Sequence, residues 1–337
     1  MKVTLDEIAQ ALNVSAMTVS RALRGASGVS AETSARVREY ARKVNYRPNL
    51  AARALAAKRA SVLGAIIPNL RHSFWLEMVM GVEQVAHESG YHVFLSHSAD
   101  DPVVEREEMW TLVGRRVAAV LIASCDPDGN ADTIRDLVDE GVHVLMFDRH
   151  GRDPIVPGVY ADDVGGAARA TEHLVSLGYR RIAHLAGDLK FSPARARLSG
   201  YQQKLAEYGL DPIVQEAGFG EENGYLGMQA LLRRARVDAV FVSHDPSAIG
   251  ALQAALNSGL RVPEDVALVG FGNMDCAAHV AVPLTTVDQP RTDLGHALAR
   301  LALRIIAGDA DPSTTVVLPT GFVVRKSCGA HLRGRTP

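Results

Sequence analysis

Two short amphipathic stretches joined by two residues, at positions 4 to 25, constrain this chain more than any other feature. Thr4 with Glu7 three residues on is a capping-box signature, and Leu5, Ile8, Ala9 and Leu12 follow at helical spacing. Asn13 and Val14 fit a tight turn. Ser15 then caps a second helix that turns Val19, Ala22 and Leu23 inward and leaves Ala16, Met17, Thr18, Ser20 and Arg21 facing out. The pattern is a helix-turn-helix, and its second helix suits a major groove. Arg21 can contact guanine bidentately or clamp a phosphate, whereas Ala16 and Met17 offer only apolar contacts such as a thymine methyl. Ser15, Thr18, Ser20 and Ser30 are short hydroxyls suited to phosphate oxygens, with Thr4 at the first cap a further candidate.

Charge separates this segment from the rest. Residues 1 to 60 hold eleven Lys or Arg against four Asp or Glu, a formal +7; the whole chain is −2, so the remainder carries −9. Only the N-terminal piece is electrostatically suited to a phosphate backbone. Cys125, Cys276 and Cys328 are scattered, without CxxC spacing or a local His cluster, so neither zinc nor a disulfide framework is expected. No basic-then-apolar leader opens the chain and no apolar run approaches the ~18 residues of a membrane span, so a cytoplasmic, nucleoid-associated protein is expected.

Val29 to Glu32 opens a third helix through Val37, Tyr40, Ala41 and Val44, which Pro48 excludes from continuing. Residues 50 to 57 are alanine-rich, of high helix propensity but shorter than the ~12 to 15 residues an isolated helix needs, so they order only with outside support. From Ser61 the pattern alternates. Apolar strand candidates at 62–67, 93–96, 118–123, 142–147, 182–186, 239–242 and 266–271 are separated by helical patterns such as 76–89, 104–114, 167–177, 196–208 and 248–258. Alternation of this kind means parallel sheets covered on both faces. The element count exceeds one open sheet, which places a division near Ala161. The expected fold is an α helix-turn-helix headpiece plus an α/β core of two doubly wound parallel-sheet subdomains, with a ligand cleft at the carboxyl ends of their strands. Asp148 and Asp245 directly follow strands and are cleft candidates, though either could cap a helix; Phe74, Phe191, Phe219 and Phe271 could stack on a ring.

Several motifs then fall into one order: Thr18-Val19-Ser20-Arg21, Asn45-Tyr46-Arg47-Pro48-Asn49, Ala51-Ala52-Arg53-Ala54-Leu55, Glu172-His173-Leu174 with Gly178-Tyr179-Arg180-Arg181-Ile182-Ala183, Arg195 to Tyr201, Asp245 to Ala251, and Pro283 to Val287. Through them the chain resembles the LacI/GalR family of bacterial transcription regulators over essentially its whole length. The resemblance implies a homodimer whose headpieces read a pseudopalindromic double-stranded operator and whose cleft binds a small effector. It also implies a hinge helix that enters the minor groove, with Leu55 in the wedging position, Ala52 small enough for two hinges to pack, and Tyr46 and Asn49 at the junction. Arg197 stands at the family's effector-binding arginine, and Ser73 and Phe74 match effector-facing positions. Two departures stand out: Gly272-Asn273 replaces the acidic residue many relatives carry after that strand, and His244 replaces their Asn before Asp245. The less acidic sheet end leaves room for a sugar acid or phosphate beside a neutral sugar.

The expected site is therefore Thr4, Ser15, Ala16, Met17, Thr18, Ser20, Arg21, Ser30, Tyr46, Asn49, Ala52 and Leu55 for DNA. For the effector it is Ser73, Phe74, Asp148, Arg197, Phe219, His244, Asp245, Asn273 and Gln289. The expected divisions are a headpiece at 1–49, a hinge at 50–60, a core N-subdomain at 61–161 with 290–320 crossing back, and a C-subdomain at 162–289 with 321–337. No nucleophile with a positioned base appears in the sequence, so no catalysis, cofactor or metal is expected, and a repressor of a catabolic operon is. A C-terminus without leucine heptads points to a dimer rather than a tetramer. A receptor without DNA function and an enzyme using the cleft are the rivals.

Overall fold

The computed structural model describes residues 3–25, 27–46, 61–71, 73–152 and 156–333. The chain divides into two compact units, residues 1–60 and 61–337.

In the first unit, α1 (Leu5–Leu12), α2 (Ala16–Arg24) and α3 (Ala31–Lys43) enclose one small core. Each begins on a hydroxyl. The Glu7 amide donates to Thr4 Oγ1 at 3.2 Å while the Thr4 amide donates to Glu7 Oε2 at 2.9 Å, a complete capping box. Ser15 and Ser30 accept from the Thr18 and Thr33 amides at 3.0 and 3.2 Å. α1 stops because Asn13 turns left-handed at φ 53°, which Asn tolerates better than most residues. Ile8, Ala9, Val19, Ala22, Val37 and Ala41 form the buried centre, and Arg38 Nε donates to the Ala22 carbonyl at 3.3 Å, tying α3 to the end of α2.

The second unit holds two six-stranded sheets. The first contains β1 (Val62–Ile67), β2 (His92–His97), β3 (Ala119–Ile122), β4 (Val144–Phe147), β5 (Gly158–Ala161) and β11 (Thr315–Leu318), in the order β11-β5-β4-β3-β1-β2, all parallel. The second contains β6 (Ile182–Ala186), β7 (Ile213–Glu216), β8 (Ala239–Val242), β9 (Ala267–Gly272), β10 (Thr285–Asp288) and β12 (Gly321–Val323), in the order β12-β10-β9-β8-β6-β7. There only β12 runs antiparallel, against β10. The connecting helices are α4 (Ser73–Glu88), α5 (Pro102–Gly114), α6 (Ala131–Asp139), α7 (Asp163–Ser176), α8 (Ser192–Glu207), α9 (Glu221–Arg234), α10 (Asp245–Asn257) and α11 (Arg291–Ala307). The central strands β3, β4, β6, β8 and β9 are wholly buried, which is why they are continuous apolar runs.

The chain passes between the sheets three times: from β5 into α7, from β10 into α11, and from β11 into β12. α11 lies beside α4 so closely that Gly81 and Gly295 face the partner's backbone; a Cβ at either would collide with the carbonyl of Thr292 or Met78. β5, β7, β10, β11 and β12, and helices α6, α9 and α11, were not among the elements anticipated from periodicity. Those strands are short and carry glycine or polar residues (Gly158, Gln215 and Glu216, Thr285, Thr286 and Asp288, Thr315, Gly321), so they lack the continuous apolar run that marks the equally short β3, β4 and β8. Among the described residues no helix is long and apolar enough to cross a membrane, and no group of three or more His, Cys, Asp or Glu could hold a metal ion.

Candidate DNA-reading face and ligand cleft

On the first unit, α2 presents Met17, 63% exposed, and Arg21, also exposed. Single exposed apolar side chains are common, so Met17 is a candidate contact by its place on α2 beside Arg21 rather than by its exposure alone. Thr18 and Ser20 are half-buried on the same helix. Ala16 is half-buried too and packs against the headpiece core, so its methyl is shared between core and surface. Tyr46 likewise packs on that core, its amide donating to the Ala41 carbonyl at 2.8 Å. The hydroxyls of Thr4, Ser15 and Ser30 work first as helix caps, and Ser30 also donates to Thr33 Oγ1 at 2.9 Å. Asn49, Ala52 and Leu55 lie outside the described residues.

In the second unit a cavity of about 290 Å³ opens where the carboxyl ends of both sheets meet, small for a ligand site but enough for a single ring with its substituents. Residues after β1, β2 and β4 (Asn69, Asp100, Asp148, Arg149), the first turn of α4 (Phe74, Trp75), and residues after β6, β7, β8 and β10 line it, among them Lys190, Phe219, His244 and Gln289. Every one of these positions comes directly after a strand or opens the next helix, the location expected in doubly wound sheets.

Asp148 sits at the end of β4 in a left-handed conformation, φ 59°, with its side chain 11% exposed. Burial, reinforced by the nearby Asp163 carboxylate, pushes its pKa up to about 6. Arg197, near the start of α8, is 3% exposed; its Nε and Nη2 lie 2.9 and 2.8 Å from Asp163 Oδ1, and its Nη1 donates to the Ser243 carbonyl at 2.6 Å. The guanidinium also covers the Phe271 ring at 3.8 Å. Burial raises the Asp163 pKa, and the adjacent Arg197 opposes that shift. Arg149 fills the space between two rings, 3.9 Å from the centroid of Phe191 and 5.3 Å from that of Trp75. His244 stands edge-on to Phe219 at 5.6 Å.

The cleft brings together Phe74, Asp148, Arg197, Phe219, His244 and Gln289 from the expected set, and leaves three outside. Asp245 is fully buried, accepting from Thr286 Oγ1 at 2.7 Å and the Met274 amide at 2.8 Å; it bolts the start of α10 to β10 and the end of β9. Burial raises its pKa, with those donors opposing. Asn273 spends its amide on the protein: Nδ2 donates to Asp288 at 3.0 Å and Oδ1 accepts from Arg325 Nη2 at 2.8 Å. Ser73 begins α4 but is not among the lining residues. Phe271 is wholly buried beneath Arg197 and cannot stack on a ligand. Arg149, Lys190 and Asp100 were missed, although Arg149 directly follows an Asp already singled out at a strand end and carried that positional signal.

A helix-turn-helix unit and a two-sheet receptor unit in one chain define a class, DNA-binding regulators that carry their own ligand site. The description "Bacterial regulatory proteins, lacI family" matches residues 4–49, and "Periplasmic binding protein-like domain" matches residues 171–328. The HTH-type transcriptional regulator DegA of Bacillus subtilis (strain 168) is 30% identical over 97% of this chain and 98% of its own length. HTH-type transcriptional regulator CelR of Thermobifida fusca is 32% identical over 96% of this chain and 98% of its own. Among solved structures, the lac repressor dimer bound to operator and the anti-inducer ONPF superposes with a TM-score of 0.89 at 29% identity, covering 97% of this chain and 99% of that one. The chain belongs to the lacI family of bacterial regulatory proteins, and it is a DNA-binding transcription regulator.

Proposed function

We propose that the protein is a cytoplasmic repressor of a catabolic operon, working as a homodimer whose operator affinity is set by a sugar or sugar derivative held in the cleft. The observation that carries the reading is the cleft: aromatic rings, a buried arginine and a carboxylate converge at the strand ends of both sheets, in a chain that also bears an exposed reading helix. Ligands in the structures of relatives, cellobiose with CelR and ONPF with the lac repressor, are of the matching chemical kind. Self-association is supported by exposed apolar side chains on α4 and the edge strand β2, namely Leu76, Met80, Phe94 and Leu95. The reading includes the division into a headpiece at 1–49, a hinge at 50–60 and two lobes exchanging segments after 289 and 320. Ligand binding would shift the balance between two arrangements of the lobes, and with it the support available to the hinge segment.

The test is fluorescence anisotropy of the full chain on the palindrome upstream of its own gene, with sugars, sugar acids, polyols and nucleobases added in turn. Specific binding that at least one compound shifts is the expected result. Arg21→Ala and Leu55→Ala should each weaken it strongly, Arg21→Ala also relaxing base preference; unchanged operator affinity in both variants would refute the DNA-reading assignment.

A further inference from the structure

Among the described residues of the cleft, Arg149 makes only long ion pairs. Its side chain is only 11% exposed, yet its nearest carboxylate atoms are 3.6 Å away on Asp100 and 4.0 Å away on Asp148, and its Nη1 is buried without a hydrogen-bond partner. Arg197 contrasts with it, because Asp163 and the Ser243 carbonyl already occupy its Nε, Nη1 and Nη2. Gln289, 3% exposed and lining the same cavity, also has a buried Nε2 with no partner. Unmatched buried donors are costly, and two in one cavity call for an acceptor that arrives from outside.

We propose that the cleft takes an anionic, polyhydroxylated ligand, and that Arg149 is the residue that reads its negative charge; this rests on the effector reading above. The guanidinium fork matches a carboxylate or a phosphate bidentately, and its place between the Trp75 and Phe191 rings fixes the plane in which it donates. Asp100 is exchangeable, being half exposed and held separately by Asn69 Nδ2 at 2.9 Å. Asp148 accepts no side-chain or backbone hydrogen bond among the described residues and is placed to take the ligand's hydroxyls, so the acceptor and donor demands of the cleft fit one molecule carrying both groups.

Isothermal titration of the full chain with D-glucose, D-galactose, D-gluconate, D-glucuronate, D-galacturonate, D-glucose 6-phosphate and inorganic phosphate tests it. At least one anionic sugar should bind about tenfold or more tighter than its neutral counterpart, the carboxylate and phosphate arms showing which anion is meant. Arg149→Gln should abolish that preference and Arg149→Lys should keep part of it, which separates charge reading from a folding defect. A neutral sugar binding as tightly as its acid overturns the inference and leaves the effector reading standing. An anionic preference that survives Arg149→Gln overturns the role of Arg149, and inorganic phosphate binding as well as glucose 6-phosphate overturns the polyhydroxylated part. Silence from every sugar, neutral and anionic, counts against both readings.

Discussion

Two buried titratable residues of the second unit act on stability in opposite directions across the same pH range. His184 is wholly buried, its ring stacked on Phe241 at 4.7 Å with Nδ1 3.0 Å from the Phe241 carbonyl, and burial pushes its pKa down to about 4. Below about 6.5 the unfolded chain gains a proton that the folded one refuses, so this residue removes roughly 3 kcal/mol of stability as pH falls from about 6.5 to about 4. Asp148 does the reverse. Its folded pKa of about 6 exceeds the ordinary 3.8, so stability declines as pH rises between those values, by about 3 kcal/mol in all. His184→Leu should therefore raise the melting temperature at pH 4 relative to that at pH 6.5, compared with the same difference in the unsubstituted chain, whatever it costs at pH 7. Asp148→Asn should stabilise the second unit at pH 7 by about 1 to 3 kcal/mol in urea titrations and, if the proposed cleft ligand contacts it, weaken ligand binding as well. Asp148 was legible in the sequence from its position after a strand. His184 was not, since an alternating apolar context does not announce a ring sealed between two aromatics.

At the level of the element, the headpiece was legible almost residue by residue because its signals are local: Thr4, Ser15 and Ser30 sit at the start of α1, α2 and α3 and cap them as their spacing indicates. Ser15→Ala should lower headpiece stability by about 1 kcal/mol, measured by thermal unfolding of the α-helical signal. Arg21→Ala, on the exposed face of the same helix, should leave that transition in place and lower operator affinity instead. The cleft was less legible for a physical reason. Asp245 and Asn273 occupy strand-end positions as good as that of Asp148, but Thr286 and the Met274 amide claim the first, and Asp288 and Arg325 the second. Which of several strand-end side chains is satisfied internally depends on partners up to 52 residues away, beyond any local pattern.

Across the whole molecule, the alternation of strands and helices announced two parallel sheets, whereas the final strand of each, β11 and β12, is only partly buried, lacks a continuous apolar run and was not anticipated. Those two strands are structurally decisive. β11 completes one edge of the first sheet, and β12 completes one edge of the second by pairing antiparallel with β10. Removing residues 313 to 337 should therefore damage both lobes together, seen as loss of a cooperative melting transition rather than loss of one of two transitions.

The same topology has a consequence for biosynthesis. Domains ordinarily fold in turn as the ribosome releases them, the N-terminal one first. Here the first lobe cannot finish its sheet until Thr315–Leu318 has left the exit tunnel, and the second finishes five residues later with Gly321–Val323. A headpiece made first, with its reading helix already formed, would thus wait through most of translation for a receptor to govern it. Ligand control over the DNA-reading face, as proposed, would begin only once residues 315–323 have been made.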